Sequence, residues 1–407
     1  MKKLKGVSIL KNGSMTSAKG FVASGMHCGI KRSPQKYDLS LVVSEKACNA
    51  AAVFTVNRAK AWPVYLSIEN LKNAKHFAII GTSGNANCLN GPQGKQAAWD
   101  CLKGAADELH INPKEVLIAQ TGIIGVRYPT QRVTRSLSTM VQNLSRDGGH
   151  AAAKGILTTD KRTKEIAVSF SLSGKKVTIG AAAKGAGMVH PYMATMLCFI
   201  TTDAAIAKPL LQKALRAAVE TTFNAIAIDN DMSTNDTAFI LANGAAGNSE
   251  IKKENADYKK FAAALEYLLN AVAVGLVEDG EGVKHVCHIT VQNAKSDADA
   301  AKAARQIGNS MLFKTMVTGE DPNWGRIIAA VGASQIPFNP NRFSVYIGGT
   351  PIVKEGLVRV LNRPKAKKAM ALPHFDVTVD LYSGKGKATF VTSDLTHEYV
   401  SINGAYS

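Results

Sequence analysis

Aromatic residues are scarce, at 6% of the chain. A binding surface built on stacked rings is therefore not expected, and the abundant small residues favour closely approaching layers. Basic stretches carry no interleaved aromatics, so the pattern by which a sheet reads single-stranded nucleic acid is missing. No uninterrupted run of about 18 apolar residues is present, so no membrane-spanning helix is expected. The start, Met1-Lys-Lys-Leu-Lys-Gly-Val-Ser-Ile-Leu-Lys11, has too short an apolar stretch for a signal peptide. The six cysteines (Cys28, Cys48, Cys88, Cys101, Cys198, Cys287) follow no pairing pattern. They are expected to be buried thiols in a reducing cytoplasm. Repeats, heptads and low-complexity linkers are absent. Acidic residues are the minority, 31 against 49 Lys plus Arg, a formal charge of +18. The basic residues are scattered, as at Lys252-Lys253, Lys259-Lys260 and Lys365 to Lys368. A solvated basic surface is the simpler reading, attraction of small anions is a further one, and neither nucleic acid nor membrane is expected as partner.

What is present is ordinary globular material: 407 residues, 46% hydrophobic and 20% charged. Short apolar segments closed by Gly, Asn or Ser read as strands at 77–81, 116–119, 176–179, 237–241 and 289–291. Leu137, Met140, Val141 and Leu144 have helical spacing and predict one helix over 131–144. Pro209 suits the first turn of a helix through Leu211, Leu215 and Val219. Ser296 or Asp297 caps an alanine-rich helix ending near Gly308. Towards the C-terminus, Ser383-Gly-Lys-Gly386 is expected to join 375–381 and 387–391 as an antiparallel hairpin. Mixed helices and largely antiparallel strands predict a layered α/β (α+β) architecture.

The segment Lys184-Gly-Ala-Gly-Met-Val-His-Pro-Tyr-Met-Ala-Thr-Met-Leu197 is the most informative. Thr195 follows a glycine-interrupted stretch and a proline, and precedes an apolar run. A threonine hydroxyl is a poor nucleophile without a base. As the first residue of a chain, threonine carries its own base, the α-amine. That state requires a cut between Ala194 and Thr195. From the residues alone, a threonine ending a loop before a buried strand is the simpler reading. Elsewhere, Thr121-Gly122 follows an apolar strand, and a turn there would offer N–H donors to an oxyanion. Leu157-Thr-Thr-Asp160 clusters hydroxyls with a carboxylate. Val277-Glu-Asp-Gly-Glu-Gly282 puts three carboxylates in a glycine-flanked loop but lacks the spacing of a calcium loop. His285-Val-Cys-His288 lies in an alternating stretch whose neighbours face opposite ways, so it is read as structural. No metal site is expected. Asp229-Asn-Asp-Met-Ser-Thr-Asn-Asp-Thr237 and Gly319-Glu-Asp-Pro-Asn-Trp-Gly-Arg326 are dense in polar groups, and their spacing names no reaction.

Taken together, these segments resemble the glutamate N-acetyltransferase / ornithine acetyltransferase family of arginine biosynthesis. The similarity includes Asn57-Arg-Ala-Lys-Ala61, Ser83-Gly-Asn-Ala-Asn87, Asp-Gly-Glu-Gly at 279–282 and the end, Asp394 to Ser407. It runs from about Gly20 to Ser407. Two positions depart: Tyr192 stands where the family usually has Asn, and the chain ends at Ser407, one residue short of a common terminal Thr.

The resemblance implies sheets stacked between helical layers, reminiscent of N-terminal-nucleophile hydrolases but with distinct topology. It implies self-cleavage at Ala194-Thr195 into fragments 1–194 and 195–407. These would co-fold as one unit, with a smaller C-terminal α/β portion, and assemble as two copies of each. It assigns Thr195 as nucleophile, Thr121 and Gly122 as oxyanion hole, and Thr158 (with Thr159 the adjacent alternative), Lys184, Glu281 and Asn403 as substrate contacts. The implied reaction moves acetyl from N-acetylornithine to glutamate without a cofactor. Acetyl-CoA as a further donor is left open. The alternative is a related self-processing aminopeptidase or amidohydrolase, which would release its product to water.

Overall fold

The computed structural model describes residues 3–190 and 196–404. Tyr192, the expected scissile pair Ala194 and Thr195, and the terminal Ser407 lie outside them. The chain forms two compact units. The larger comprises Met1–Gly185, Tyr192–Asn224 and Met232–Leu276; the smaller comprises Ala186–Pro191, Ala225–Asp231 and Val277–Ser407. This division does not follow the expected fragment boundary at 194/195.

In the larger unit the strands run in the order Ser8–Ile9, Lys164–Leu172, Lys175–Lys184, Leu197–Thr202, Thr237–Ala242, Leu39–Phe54, His76–Asn85 and Val116–Ile123. Phe21–Met26 also pairs with Leu39–Phe54. The 16-residue strand Leu39–Phe54 joins two layers. Its second half pairs with Thr237–Ala242, and its first half with Phe21–Met26 and His76–Asn85. Between the halves, Glu45, Lys46 and Ala47 are exposed and the register shifts. A strand bent in this way carries the chain from one sheet to another packed on it. Val42, Ile79 and Leu117 from one layer meet Ala50, Leu197, Phe199, Phe239 and Leu241 from the other in one core. The Phe199 and Phe239 rings stack at 6.0 Å.

Helices close both outer faces. Ala98, Cys101, Leu102 and Ala105 of helix Gly91–Leu109 share a core with Leu41, Ile80 and Ile118. On the other side, Phe261 of helix Ala256–Glu278 lies 6.5 Å from Phe170. Gln212 of helix Lys208–Thr221 hydrogen-bonds both the N–H and the carbonyl of Ala52. The result is the expected sandwich of stacked sheets between helices. Helix Ala256–Glu278 is long and apolar enough to cross a membrane by length and composition. Glu266 and Asn270 break its apolar run, which is why no such segment was expected. Its Phe261, Leu265, Leu268, Leu269 and Val272 are buried, as in the core helix of a folded domain.

The smaller unit has a seven-stranded sheet, ordered Leu357–Val358, Thr350–Lys354, Ser344–Ile347, His374–Asp380, Val286–Ala294, Gly386–Ser393 and Ile226–Ala227. Helices Asp297–Asn309, Met311–Thr318 and Trp324–Ala333 share its core. Ser296 caps the first of these by accepting the Asp299 N–H, as expected.

Two expectations are corrected. The strands on either side of Ser383-Gly-Lys-Gly386 do not form a hairpin, because Val286–Ala294 lies between them. The connection arches over the end of that strand: Leu381 donates to Gln292, and Ser383 and Gly384 donate to Asn293. Asp380 fixes the arch by accepting from the Gln292 and Asn293 side chains. The helix expected over 131–144 is two, Thr130–Thr134 and Leu137–Gln142. At the break, the Ser136 hydroxyl donates to the Arg132 carbonyl, a local bond that competes with helical continuity. The expected helix after Pro209 is present as Lys208–Thr221. All six cysteines are free thiols, five of them buried.

Candidate active site

In the larger unit, Lys175–Lys184 ends in Gly180-Ala-Ala-Ala-Lys184, small residues buried through to the lysine. It pairs antiparallel with Leu197–Thr202, with Lys184 opposite Leu197. The connection 185–196, which contains Thr195 in sequence, therefore starts and ends at neighbouring points of one sheet. Lys184 is only 3% exposed.

Asp160 organises the groups around this strand end. Its side chain is fully buried. It accepts the N–H of Gly185 at 2.7 Å, the N–H of Thr158 at 2.8 Å and the Thr158 hydroxyl at 3.4 Å. The Lys164 ammonium donates to it as well. Burial alone would raise its pKa, but the charges of Lys184 and Lys164 and these hydrogen bonds outweigh it. The carboxyl is held well below the usual range, so Asp160 is a fixed anion. Lys31 adds a third cation, donating to the Leu157 carbonyl at 2.7 Å. Burial pushes its amine down to about 8, against the pull of Asp38 and Asp160. Two residues expected in the site, Thr158 and Lys184, thus meet around a hub. The sequence showed Asp160 as one carboxylate in a cluster but not as that hub. The only signal for Lys164 was its place four residues after Asp160.

Thr121 and Gly122 are not in a turn. The strand Val116–Ile123 runs through them, parallel to His76–Asn85, with an irregularity at Gly84/Asn85. Gly122 has φ +133°, and a Cβ there would lie 2.3 Å from the Gly84 carbonyl carbon. Only glycine fits that close approach. Asn235 ties this strand end down, donating to the carbonyls of Gln120 at 2.7 Å and Ala86 at 2.6 Å. The adjacent Asp236 accepts the Met196 N–H at 3.0 Å. Sequence reading flagged this polar motif without a role. The structure uses it to link the Thr121–Gly122 strand with the residue that follows Thr195.

In the smaller unit, Met188 and Val189 donate their N–H groups to Asp229 at 2.6 and 2.8 Å. Glu281 is buried, its N–H donates to the Ala186 carbonyl at 2.9 Å, and Asn403 donates to its carboxylate at 2.8 Å. Gly187 gives it room: a Cβ there would stand 2.5 Å from Glu281 Oε2. Glu281 and Asn403, both expected substrate contacts, are therefore joined directly.

The family model of the ArgJ family matches residues 22–407. The chain belongs to the ArgJ family. The arginine biosynthesis bifunctional protein ArgJ of Caldanaerobacter subterraneus subsp. tengcongensis is 42% identical, over 97% of this chain and 98% of that one. The protein of the same description from Symbiobacterium thermophilum is 41% identical, over 97% and 98%. Among solved structures, ornithine acetyltransferase of Mycobacterium tuberculosis complexed with ornithine is 32% identical, with a TM-score of 0.42. It covers 46% of this chain and 98% of that chain. The arginine biosynthesis bifunctional protein of Bacillus halodurans is 37% identical, with a TM-score of 0.44, covering 46% and 96%. Family membership thus agrees with the resemblance carried by the sequence motifs.

Proposed function

We propose that this chain cleaves itself between Ala194 and Thr195 and then transfers acetyl from N-acetylornithine to glutamate. The observation that carries the reading is the match to the ArgJ family over residues 22–407. The buried lysine cluster at the end of the Lys175–Lys184 strand supports it. The freed α-amine of Thr195 has a reference pKa of about 7.7–8.0, so a useful fraction is neutral near pH 7. That amine takes the hydroxyl proton as the oxygen attacks the acetyl carbonyl. Thr121 and Gly122 face the developing oxyanion. Ornithine leaves with the proton, and the acetyl group stays on Thr195 as an ester. Glutamate then attacks the ester, and N-acetylglutamate departs.

The cations of Lys184 and Lys164 both act on Asp160 at this buried strand end, and cationic side chains placed there suit a substrate carboxylate. Lys184 and Thr158 supply that contact. Glu281, held by Asn403, suits the substrate amine. Acetyl-CoA is a second donor in this reading, loading the same Thr195 hydroxyl. Two copies of each fragment form the working assembly.

Thr195→Ala tests the proposal. Denatured mass should show one uncut chain in place of fragments of 194 and 213 residues, and acetyl transfer should vanish. A Thr195→Ala chain that transfers acetyl at the parent rate would overturn it.

A further inference from the structure

One hydroxyl in the smaller unit stands behind both members of the Glu281–Asn403 pair. Glu281 sits on a tight turn, closed by the Val283 N–H donating to the Gly280 carbonyl at 3.1 Å. That turn is pressed against the start of the helix His397–Gly404. A Cβ on Gly282 would stand 2.5 Å from the Tyr399 nitrogen and 2.7 Å from Thr396 Oγ1. Thr396 is buried. Its hydroxyl donates to the Gly282 carbonyl at 2.8 Å, 114 residues earlier in the chain. The same oxygen accepts the Tyr399 N–H at 3.4 Å, which caps the helix.

Asn403 lies one turn further along the helix. Its amide nitrogen donates twice, to the Tyr399 carbonyl at 3.1 Å and to Glu281 Oε2 at 2.8 Å. These bonds close a ring. One arm runs from Thr396 to Gly282 and so to Glu281; the other runs from Thr396 through Tyr399 and Asn403 back to Glu281. A cap needs only an acceptor, and the donor half of this hydroxyl is spent on the turn. Asp394 holds the far side of the loop by other groups. Its carboxylate accepts the Lys284 N–H at 3.1 Å and lies 3.1 Å from His285 Nδ1. The Thr318 hydroxyl fixes the residue between Asp394 and Thr396, donating to the Leu395 carbonyl at 2.7 Å. None of these anchors passes through Thr396. Loss of its hydroxyl therefore loosens the Gly282 end of the loop and leaves the Lys284–His285 end in place.

We propose that Thr396 is a positioning residue for the amine contact of the acetyl acceptor, setting Glu281 and Asn403 in register with each other. This rests on the reading of Glu281 as that contact. The Thr396 hydroxyl touches no substrate and moves no proton. It fixes the direction of the Glu281 carboxylate before the acceptor arrives, so its loss is felt in acceptor binding and not in the chemical step.

Thr396→Val in the full chain removes both bonds and keeps the shape. Rates are taken per cleaved chain with N-acetylornithine saturating. KM for glutamate should rise about tenfold while kcat stays within about twofold, the effect of a hydrogen bond lost from binding alone. Thr396→Ser keeps the hydroxyl and should bring KM back to within about threefold of the parent. A cap with only a structural role would lower the melting temperature of the valine variant and leave KM at the parent value; that result overturns the proposal. Coupling is the second readout. In a Glu281→Gln background, Thr396→Val should raise KM by no more than about twofold further, since the group it positions is already lost. The full effect persisting there would put the action of the hydroxyl elsewhere and overturn the proposal. If Glu281→Gln by itself leaves KM unchanged, the amine-site reading fails and the proposal falls with it. If Glu281→Gln raises KM and Thr396→Val does not, only the role of Thr396 fails. Should the valine variant not fold, Thr396→Ala, which places no branch against the turn, carries the same test.

Discussion

Asp160→Asn removes one buried charge and almost no volume. The side chain is fully buried, and its carboxylate faces the cations of Lys164 and Lys184. Removing one partner of a buried charge pair typically costs about 3–5 kcal/mol, because the other charge is left uncompensated. Asparagine keeps one acceptor for the Gly185 and Thr158 N–H groups, which places the cost near the lower end, about 3 kcal/mol. For a unit of this size each kcal/mol lowers the melting temperature by roughly 2–4 °C, so a drop of roughly 6–12 °C is expected. The assay is thermal unfolding followed by circular dichroism over a pH series. The folded pKa of Asp160 lies below its unfolded value of about 3.9. Its stabilisation is therefore fully present above that value and is lost as pH falls through the folded pKa. The gap between parent and variant should be widest above about pH 5 and close as the solution becomes strongly acid. A gap under about 1 kcal/mol at pH 7, or one that stays constant into acid, would show that Asp160 is not the anionic hub described here.

Gly187→Ala places a methyl 2.5 Å from Glu281 Oε2, so the carboxylate must leave its Asn403 contact. Loss of one charge-assisted hydrogen bond is worth about 1.5–3 kcal/mol, so KM for glutamate should rise roughly tenfold or more, read by saturation kinetics; an unchanged KM removes Glu281 from the amine site. Lys314 is fully buried, donates to Thr392 at 2.6 Å and to the Ser393 carbonyl at 3.0 Å, and is pushed down to about 8 by burial. The unfolded chain binds this proton more tightly, so stability should rise between pH 8 and 10.5 by about 3 kcal/mol, and Lys314→Met should abolish that slope in denaturant titrations. The fragments 1–194 and 195–407 should co-elute in size-exclusion chromatography and part only in denaturant, because Lys175–Lys184 and Leu197–Thr202 are adjacent strands of one sheet. Separation under native conditions would contradict that pairing.

Individual strands were legible because their local chemistry is sufficient. Val116-Leu-Ile-Ala119 and Thr237-Ala-Phe-Ile-Leu241 are short apolar runs closed by breakers, and both are strands. Pairing was less legible. Ser383-Gly-Lys-Gly386 has turn chemistry, yet its flanking strands are separated by Val286–Ala294, about 90 residues earlier. Turn residues specify a reversal of direction, not which edge the returning strand finds. Apolar periodicity did not register the break between Thr134 and Leu137 that splits 131–144 into two helices. In the candidate site, Lys184 and Glu281 stood out by motif. Asp160 did not stand out as a hub, because Gly185, 25 residues away, reaches it only through the sheet.

The placement of imperfect polar groups follows a pattern that bears on mechanism. A strand end carrying Lys184, a carboxylate held well below its usual range at Asp160 and a carboxyl pushed well above it by burial at Asp236 lie in one unit. Two carboxyls of the same intrinsic acidity are driven in opposite directions. The difference is their neighbours: lysine ammoniums and main-chain N–H groups for Asp160, and full burial against the weaker pull of the Met196 N–H and Ser233 for Asp236. Environments that split like groups in this way mark sites of chemistry more often than sites of packing. Through Asp236 Oδ1, which accepts the Met196 N–H, the Ser233–Thr237 motif is joined to the strand Leu197–Thr202.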